Sequence, residues 1–159
     1  MIDPQTVPLS LYMHLPWCTR KCPYCDFNSH EGFTESLQQP YVEALLADLD
    51  SQQAWWRDRP IESIFIGGGT PSLLEGRWLG ALLEGVSNRA TLSHHVEVTL
   101  ESNPGSAESG RFADYRAAGV NRLSIGVQSF NDHALNALGR IHSGNDARRA
   151  LDMVAAAGF

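Results

Sequence analysis

Ile61-Glu-Ser-Ile-Phe-Ile66-Gly67-Gly68-Gly69-Thr70-Pro71-Ser72 decides how this chain is built. Arg59-Pro60 breaks the chain just before it. Ile64, Phe65 and Ile66 then form the continuous apolar run typical of a strand in a parallel sheet. The glycines end the strand in a turn that can bring bare backbone close to a ligand. A helix is predicted next, over about Gly76 to Asn88, with Leu79, Leu82, Leu83 and Val86 on one face. Strand, turn and helix make one β–α unit.

The same unit recurs on both sides. Residues 1–8 are a polar, proline-bearing lead-in, expected to be flexible. Leu9–Leu15 is the first strand, and Pro16 to Thr34 is a loop long enough to suggest a function. A helix from about Pro40 to Trp56 follows, with Val42, Leu45, Leu46 and Leu49 facing the core and both tryptophans read as packing residues. Downstream, Val96–Glu101 is a third strand. A third helix spans about Ala107 to Ala118, with Phe112 and Tyr115 inward and Gly119 as its stop. Arg122–Val127 is a fourth strand, and Asn131–Leu138 a short helical turn. The last helix, Asn145–Ala157, turns Ala147, Ala150, Leu151 and Val154 to one side.

Strict alternation of strand and helix predicts an α/β fold with a parallel sheet and helices on its outer face. An open doubly wound sheet is the alternative. A complete eight-unit barrel takes ~250 residues, roughly 30 per unit. The 159 residues therefore hold about four β–α units. The expected architecture is an incomplete parallel (β/α) barrel over residues 9–159, stopping before a fifth strand, as the N-terminal part of a longer protein.

Composition narrows the function classes. Hydrophobic residues make up 43% and charged residues 19%, as in a globular domain. The net charge of −6, with no block of like charges, argues against nucleic acid as a partner and allows at most a peripheral contact with membranes. No run of 18 apolar residues could span a bilayer, and the first residues lack the pattern of a signal peptide. The expectation is a protein of the reducing cytoplasm.

The chemistry centres on Cys18-Thr-Arg-Lys-Cys22-Pro-Tyr-Cys25, which holds all three cysteines of the chain. Four-iron clusters are held by four ligands, so three thiolates leave one iron open to an outside ligand. The alternatives are a structural zinc site completed by His14, Asp26 or His30, and a disulfide. Zinc sites usually show two separated ligand pairs, and a disulfide would leave one thiol over. In parallel β/α folds functional groups gather where strands end. Here the strands end in the cysteines, the glycine turn, Glu101 and Gln128. By themselves Glu101, Gln128, Arg140, His14 and His142 also read as ordinary structural or surface residues.

The cysteine triplet, with an aromatic just before its last member, resembles the motif of the radical S-adenosylmethionine (SAM) superfamily. That resemblance implies a [4Fe-4S] cluster whose open iron is chelated by SAM, cleaved by one electron to methionine and a 5′-deoxyadenosyl radical. A nearer resemblance covers residues 9–159. It is carried by Leu11-Tyr-Met-His-Leu-Pro-Trp-Cys18, Cys22-Pro-Tyr-Cys-Asp-Phe-Asn-Ser-His30, Ile64–Leu74, Glu101-Ser-Asn-Pro-Gly105, Asn121–Phe130 and Leu138-Gly-Arg-Ile-His142. These segments are similar to the HemW heme-chaperone family, related to oxygen-independent coproporphyrinogen III oxidase.

That resemblance implies residue roles. Cys18, Cys22 and Cys25 would ligate the cluster. Tyr12, Gly68 and Glu101 would contact SAM, Glu101 through the ribose hydroxyls. Tyr24, Gly69, Thr70, Gln128 and Arg140 match positions that contact a second SAM in the oxidase. The implied partners are heme in the full-length protein, apo-hemoproteins such as respiratory enzymes, and an electron donor. The alternatives are an enzyme oxidising coproporphyrinogen III and a zinc domain. The oxidases carry a further cysteine two residues after the third, where this chain has Phe27, and a longer segment before the first strand. Both differences point to the chaperone.

Overall fold

The computed structural model describes residues 6–105 and 111–159. Four strands, β1 (Leu9–Leu15), β2 (Ile61–Gly68), β3 (Leu92–Ser102) and β4 (Arg122–Ile125), form one sheet in the order β1-β2-β3-β4. All neighbours are parallel, with Tyr12 beside Phe65, Phe65 beside Thr99 and Glu101 beside Ser124. Sequential order is that of a β/α barrel wall. A doubly wound sheet reverses its order at a switch point, so that alternative is excluded.

The α-helices among the described residues are α1 (Gln38–Ser51), α2 (Gln53–Trp56), α3 (Gly76–Ser87), α4 (Phe112–Ala117), α5 (Asp132–Ala137) and α6 (Gly144–Ala156). β2 shows why they cover one face. Ile64 and Ile66 are fully buried and share a core with Leu79, Leu82 and Val86 of α3. Phe65 points the other way and stacks on Tyr12 with ring centroids 6.2 Å apart. Buried Gln38 locks α1 to the start of α3. Its Nε2 donates to Glu75 Oε1 at 2.9 Å and its Oε1 accepts from the Glu75 N–H at 2.8 Å.

Several expectations need correction. The first helix is not continuous to Trp56: it ends at Ser51 and a short α2 follows a kink at Gln52. The kink turns Trp56 inward, where its Nε1 donates to the Leu49 carbonyl at 3.0 Å, and leaves Trp55 77% exposed. Only one of the two tryptophans is therefore a packing residue. β3 begins at Leu92, earlier than expected, because Leu92 pairs with Ile61 across an irregular register. β4 ends at Ile125, and Val127 instead donates its N–H back to the Ile125 carbonyl at 2.8 Å in a tight turn. Leu151 is exposed, because α6 sits on the core through the small Gly144, Ala147 and Ala150. The start of the third helix and most of the lead-in fall outside the described residues. Phe112 and Tyr115 point inward as expected.

Candidate functional site

The loop after β1 is held at its base rather than along its length. The Cys18 N–H donates to the His30 carbonyl at 2.8 Å, and the His30 N–H to the Pro16 carbonyl at 2.7 Å. Trp17 packs edge-on against Tyr41, with centroids 4.4 Å apart, and also against Phe33. Inside the loop, the Lys21 ammonium donates to the Phe27 and Ser29 carbonyls at 3.0 and 3.1 Å. A turn from Cys22 to Cys25 closes at 3.0 Å. Cys18 is buried, while Cys22 and Cys25 are half-buried. All three are free thiols.

The glycine turn after β2 forms the floor. The Gly69 N–H donates to the Leu15 carbonyl and the Thr70 N–H to the Trp17 carbonyl, at 2.8 and 2.6 Å. A side chain on Gly69 would lie 2.5 Å from the Trp17 carbonyl oxygen and 3.0 Å from Cys18 Sγ. Only glycine lets this turn lie so close behind the first cysteine. Gly68, at φ 123°, donates its N–H to Glu101 Oε2 at 3.2 Å. That contact fixes one carboxylate oxygen of Glu101 at the end of β3.

One cleft of about 310 Å³ gathers these pieces. Its wall includes all three cysteines and, of the residues singled out in the sequence, Tyr24, Gly68, Gly69, Thr70, Glu101, Gln128 and Arg140. Tyr12 does not line it. Its hydroxyl donates to His14 Nδ1 at 2.9 Å, and His14 Nε2 donates to the Asn28 carbonyl at 2.8 Å. The carbonyl can only accept, which places the ring proton on Nε2 and leaves Nδ1 for Tyr12. His14 therefore ties β1 to the far side of the cysteine loop. Burial, and then the charge of Glu101, push the Tyr12 phenol up from its usual range. Burial also raises Tyr24, with Arg140 opposing and Cys22 adding to the rise.

Asn103, within the Glu101–Gly105 segment, is a site residue that its place in the sequence does not mark. Its Nδ2 donates to Thr70 Oγ1 at 3.1 Å, and its Oδ1 accepts from Arg140 Nη2 at 2.6 Å. Arg140 in turn reaches Cys22 Sγ, with Nη1 at 3.4 Å. His142 keeps the structural role the sequence suggested: its Nε2 donates to the Val127 carbonyl at 3.0 Å, and burial lowers its pKa. Gln128 stands at φ 61°, alone among the described non-glycine residues in having a positive φ. Among the described residues no three His, Cys, Asp or Glu side chains converge on one metal position. The three thiols share one wall of the cleft.

Known proteins resemble this chain in sequence and in fold. The chain is 53% identical over 152 residues to the heme chaperone HemW of Escherichia coli (strain K12), a match covering 96% of this chain and 40% of that one. It is 45% identical to HemW of Haemophilus influenzae, covering 98% of this chain and 42% of the relative. The chain thus spans about 40% of the length of these curated relatives. Among solved structures, the coproporphyrinogen III oxidase HemN of Escherichia coli, a radical SAM enzyme, superposes with a TM-score of 0.85 at 27% identity, covering 99% of this chain and 36% of that one. The radical SAM superfamily model matches residues 12–159, almost the whole of the described sheet and its loops. The chain belongs to the radical SAM superfamily.

Proposed function

We propose that the protein is a radical SAM heme chaperone of the cytoplasm. It holds a [4Fe-4S] cluster on Cys18, Cys22 and Cys25, binds SAM beside Gly68 and Glu101, takes up heme, and delivers it to apo-hemoproteins such as respiratory enzymes. The residues present fit such a cluster: three free thiols share one cleft, glycine backbone lies directly behind Cys18, and a guanidinium faces Cys22. When bound and reduced by an electron donor, the cluster supplies one electron to SAM. The chain's own residues do the holding. Glu101, fixed through Oε2 by Gly68, makes no other hydrogen bond among the described residues and so has acceptor capacity for a ribose diol. Asn103, donating to Thr70 Oγ1, braces the glycine turn against the segment after β3. No helix among the described residues is long and apolar enough to cross a membrane.

The observation that carries the chaperone reading over the oxidase is Phe27. It lines the cleft at 60% exposure, where the oxidase family has its further cysteine. A phenyl ring can neither ligate iron nor donate a proton, but it presents an apolar face. The identity to HemW supports the same reading. The test is an anaerobic assay of the full-length protein with reductant, SAM and coproporphyrinogen III, beside a heme-binding and heme-transfer assay. Stable heme binding and transfer without porphyrinogen turnover are expected. Catalytic turnover without a heme complex would establish the oxidase instead.

A further inference from the structure

Arg140 joins the cysteine loop to the ends of β3 and β4, and its surroundings are unusual for a guanidinium. It follows Gly139, whose φ of 69° ends α5 and whose missing side chain leaves room for Pro23; a Cβ there would lie 2.7 Å from the Pro23 ring. The turn carrying Arg140 is thus pressed against the cysteine loop between Cys22 and Cys25. Nη2 donates to Asn103 Oδ1 at 2.6 Å and to the Gly126 carbonyl at 3.0 Å, while Nη1 faces Cys22 Sγ at 3.4 Å. Nε is buried and has no partner among the described residues.

No carboxylate stands in salt-bridge contact with Arg140 among the described residues; the ion pairs there are Arg77–Glu75, Arg89–Asp50, Arg122–Glu97 and Arg149–Asp146. Its oxygen partners are neutral, so they orient the cation without cancelling its charge. The guanidinium is half-buried, and an anion beside it offsets the cost of taking its buried edge out of water. The group it touches is a cysteine sulfur, which becomes anionic when it serves as a metal ligand. Hydrogen bonds and charge at cluster sulfurs are among the determinants of cluster potential.

We infer that Arg140 is a positioning residue that holds a fixed positive charge against Cys22 Sγ and thereby raises the reduction potential of the cluster. The inference rests on the cluster reading given above. Asn103 and the Gly126 carbonyl aim the guanidinium, and Thr70 aims Asn103. An electron added to the cluster increases its negative charge, and a cation at the sulfur favours that state. The effect does not require SAM. It belongs to this chain's own side chains, in a cleft where every other hydrogen-bonded partner of the guanidinium is neutral.

The experiment is an EPR-monitored redox titration of the anaerobically reconstituted full-length protein, without SAM, in wild type, Arg140→Met and Arg140→Lys. Iron and sulfide content is measured in each. Arg140→Met should keep its cluster yet be harder to reduce by about tenfold in equilibrium constant, equivalent to about 59 mV for a one-electron couple. Arg140→Lys keeps the charge but loses the planar fork, so it should recover part of the shift. Asn103→Ala, which releases the aim but keeps the charge, should shift the potential in the same direction by less. An intact cluster with an unchanged potential in Arg140→Met would overturn the inference while leaving the cluster reading standing. Failure of the wild-type protein to take up iron and sulfide would instead overturn the cluster reading itself.

Discussion

The two loops that leave neighbouring strands β1 and β2 build the site in opposite ways. The cysteine loop is long and mostly exposed; of residues 18–30 only Cys18 and Ser29 are buried. Its form comes from a clamp at its base, the Lys21 ammonium inside it, and His14 and Arg140 reaching in from outside. The glycine turn is short, buried at five of the six positions from Gly67 to Ser72, and leaves no space for side chains behind Cys18. On the proposed reading, thiols on a loop held at few points close around the cluster. A floor of packed backbone then defines where that group stops. The difference teaches that chemistry and positional accuracy reside on different segments here, and mutation should separate them.

The largest effect should come from Cys22→Ala. Full-length protein carrying it should lose the roughly 400 nm charge-transfer band and cluster iron altogether, because two thiolates cannot substitute for three. The sulfur is half-buried and lies on the loosely held loop, so the thermal midpoint of the metal-free protein should change little. Retention of iron and sulfide would show that Cys22 is not a ligand.

Glu101→Gln comes next. The amide oxygen can still accept from the Gly68 N–H, so floor and cluster should persist, but the charge-assisted bond to a ribose diol is lost. SAM affinity, measured by calorimetry on the full-length protein, should fall by roughly 1.5–3 kcal/mol, or about 10- to 150-fold. Unchanged affinity would make Glu101 a purely structural partner of the glycine turn.

Gly69→Ala tests the floor itself. Its methyl group would press on the Trp17 backbone, which cannot swing aside as a side-chain end can. Overpacking of this kind should cost roughly 1–3 kcal/mol in denaturant unfolding and also reduce cluster occupancy. A fully stable Gly69→Ala protein with normal iron content would show that the floor yields.

The smallest effect lies away from both loops, at the start of α6. Ser143 and Asp146 form a reciprocal capping box, which holds the Asp146 carboxyl down at about 2. A depressed carboxylate adds stability that is present above its unfolded value of 3.8 and disappears as pH falls through about 2. Ser143→Ala removes the hydroxyl but keeps the backbone N–H that does most to hold Asp146 down, so it should cost about 0.5–2 kcal/mol at neutral pH and only partly flatten the loss of stability between those limits. An unaltered acid titration of stability would remove the cap from the account. Cluster content should be indifferent to it.

What the sequence made legible follows from distance along the chain. β2 and its glycines are contiguous, and the triplet of cysteines spans eight residues, so a local pattern was enough to find them. Burial of Leu79, Leu82 and Val86 followed from helical spacing. The convergence of strand ends followed from the β–α order. By contrast, the Arg140–Cys22 contact bridges 118 positions and Asn103–Arg140 bridges 37, so no spacing rule could join them. Tyr12 and His14 alternate on a strand and were legible as strand residues, but the His14 link to Asn28 depends on how the loop folds back. The exposure of Trp55 depended on one kink, and that of Leu151 on which neighbours α6 meets, and neither is written in hydrophobic period.

Gln128 carries a consequence for anyone breeding this protein in the laboratory. Its left-handed backbone, at φ 61°, sits in a turn where the Ser129 N–H folds back to the Val127 carbonyl at 2.7 Å. A residue with a side chain pays about 1–2 kcal/mol there, whereas glycine and asparagine are at ease. A library screened only for heat tolerance should therefore drift to Gly or Asn at position 128. A library screened for work done in the cleft should hold on to glutamine. The two lineages would part at a single codon, and that codon would report what the turn is for.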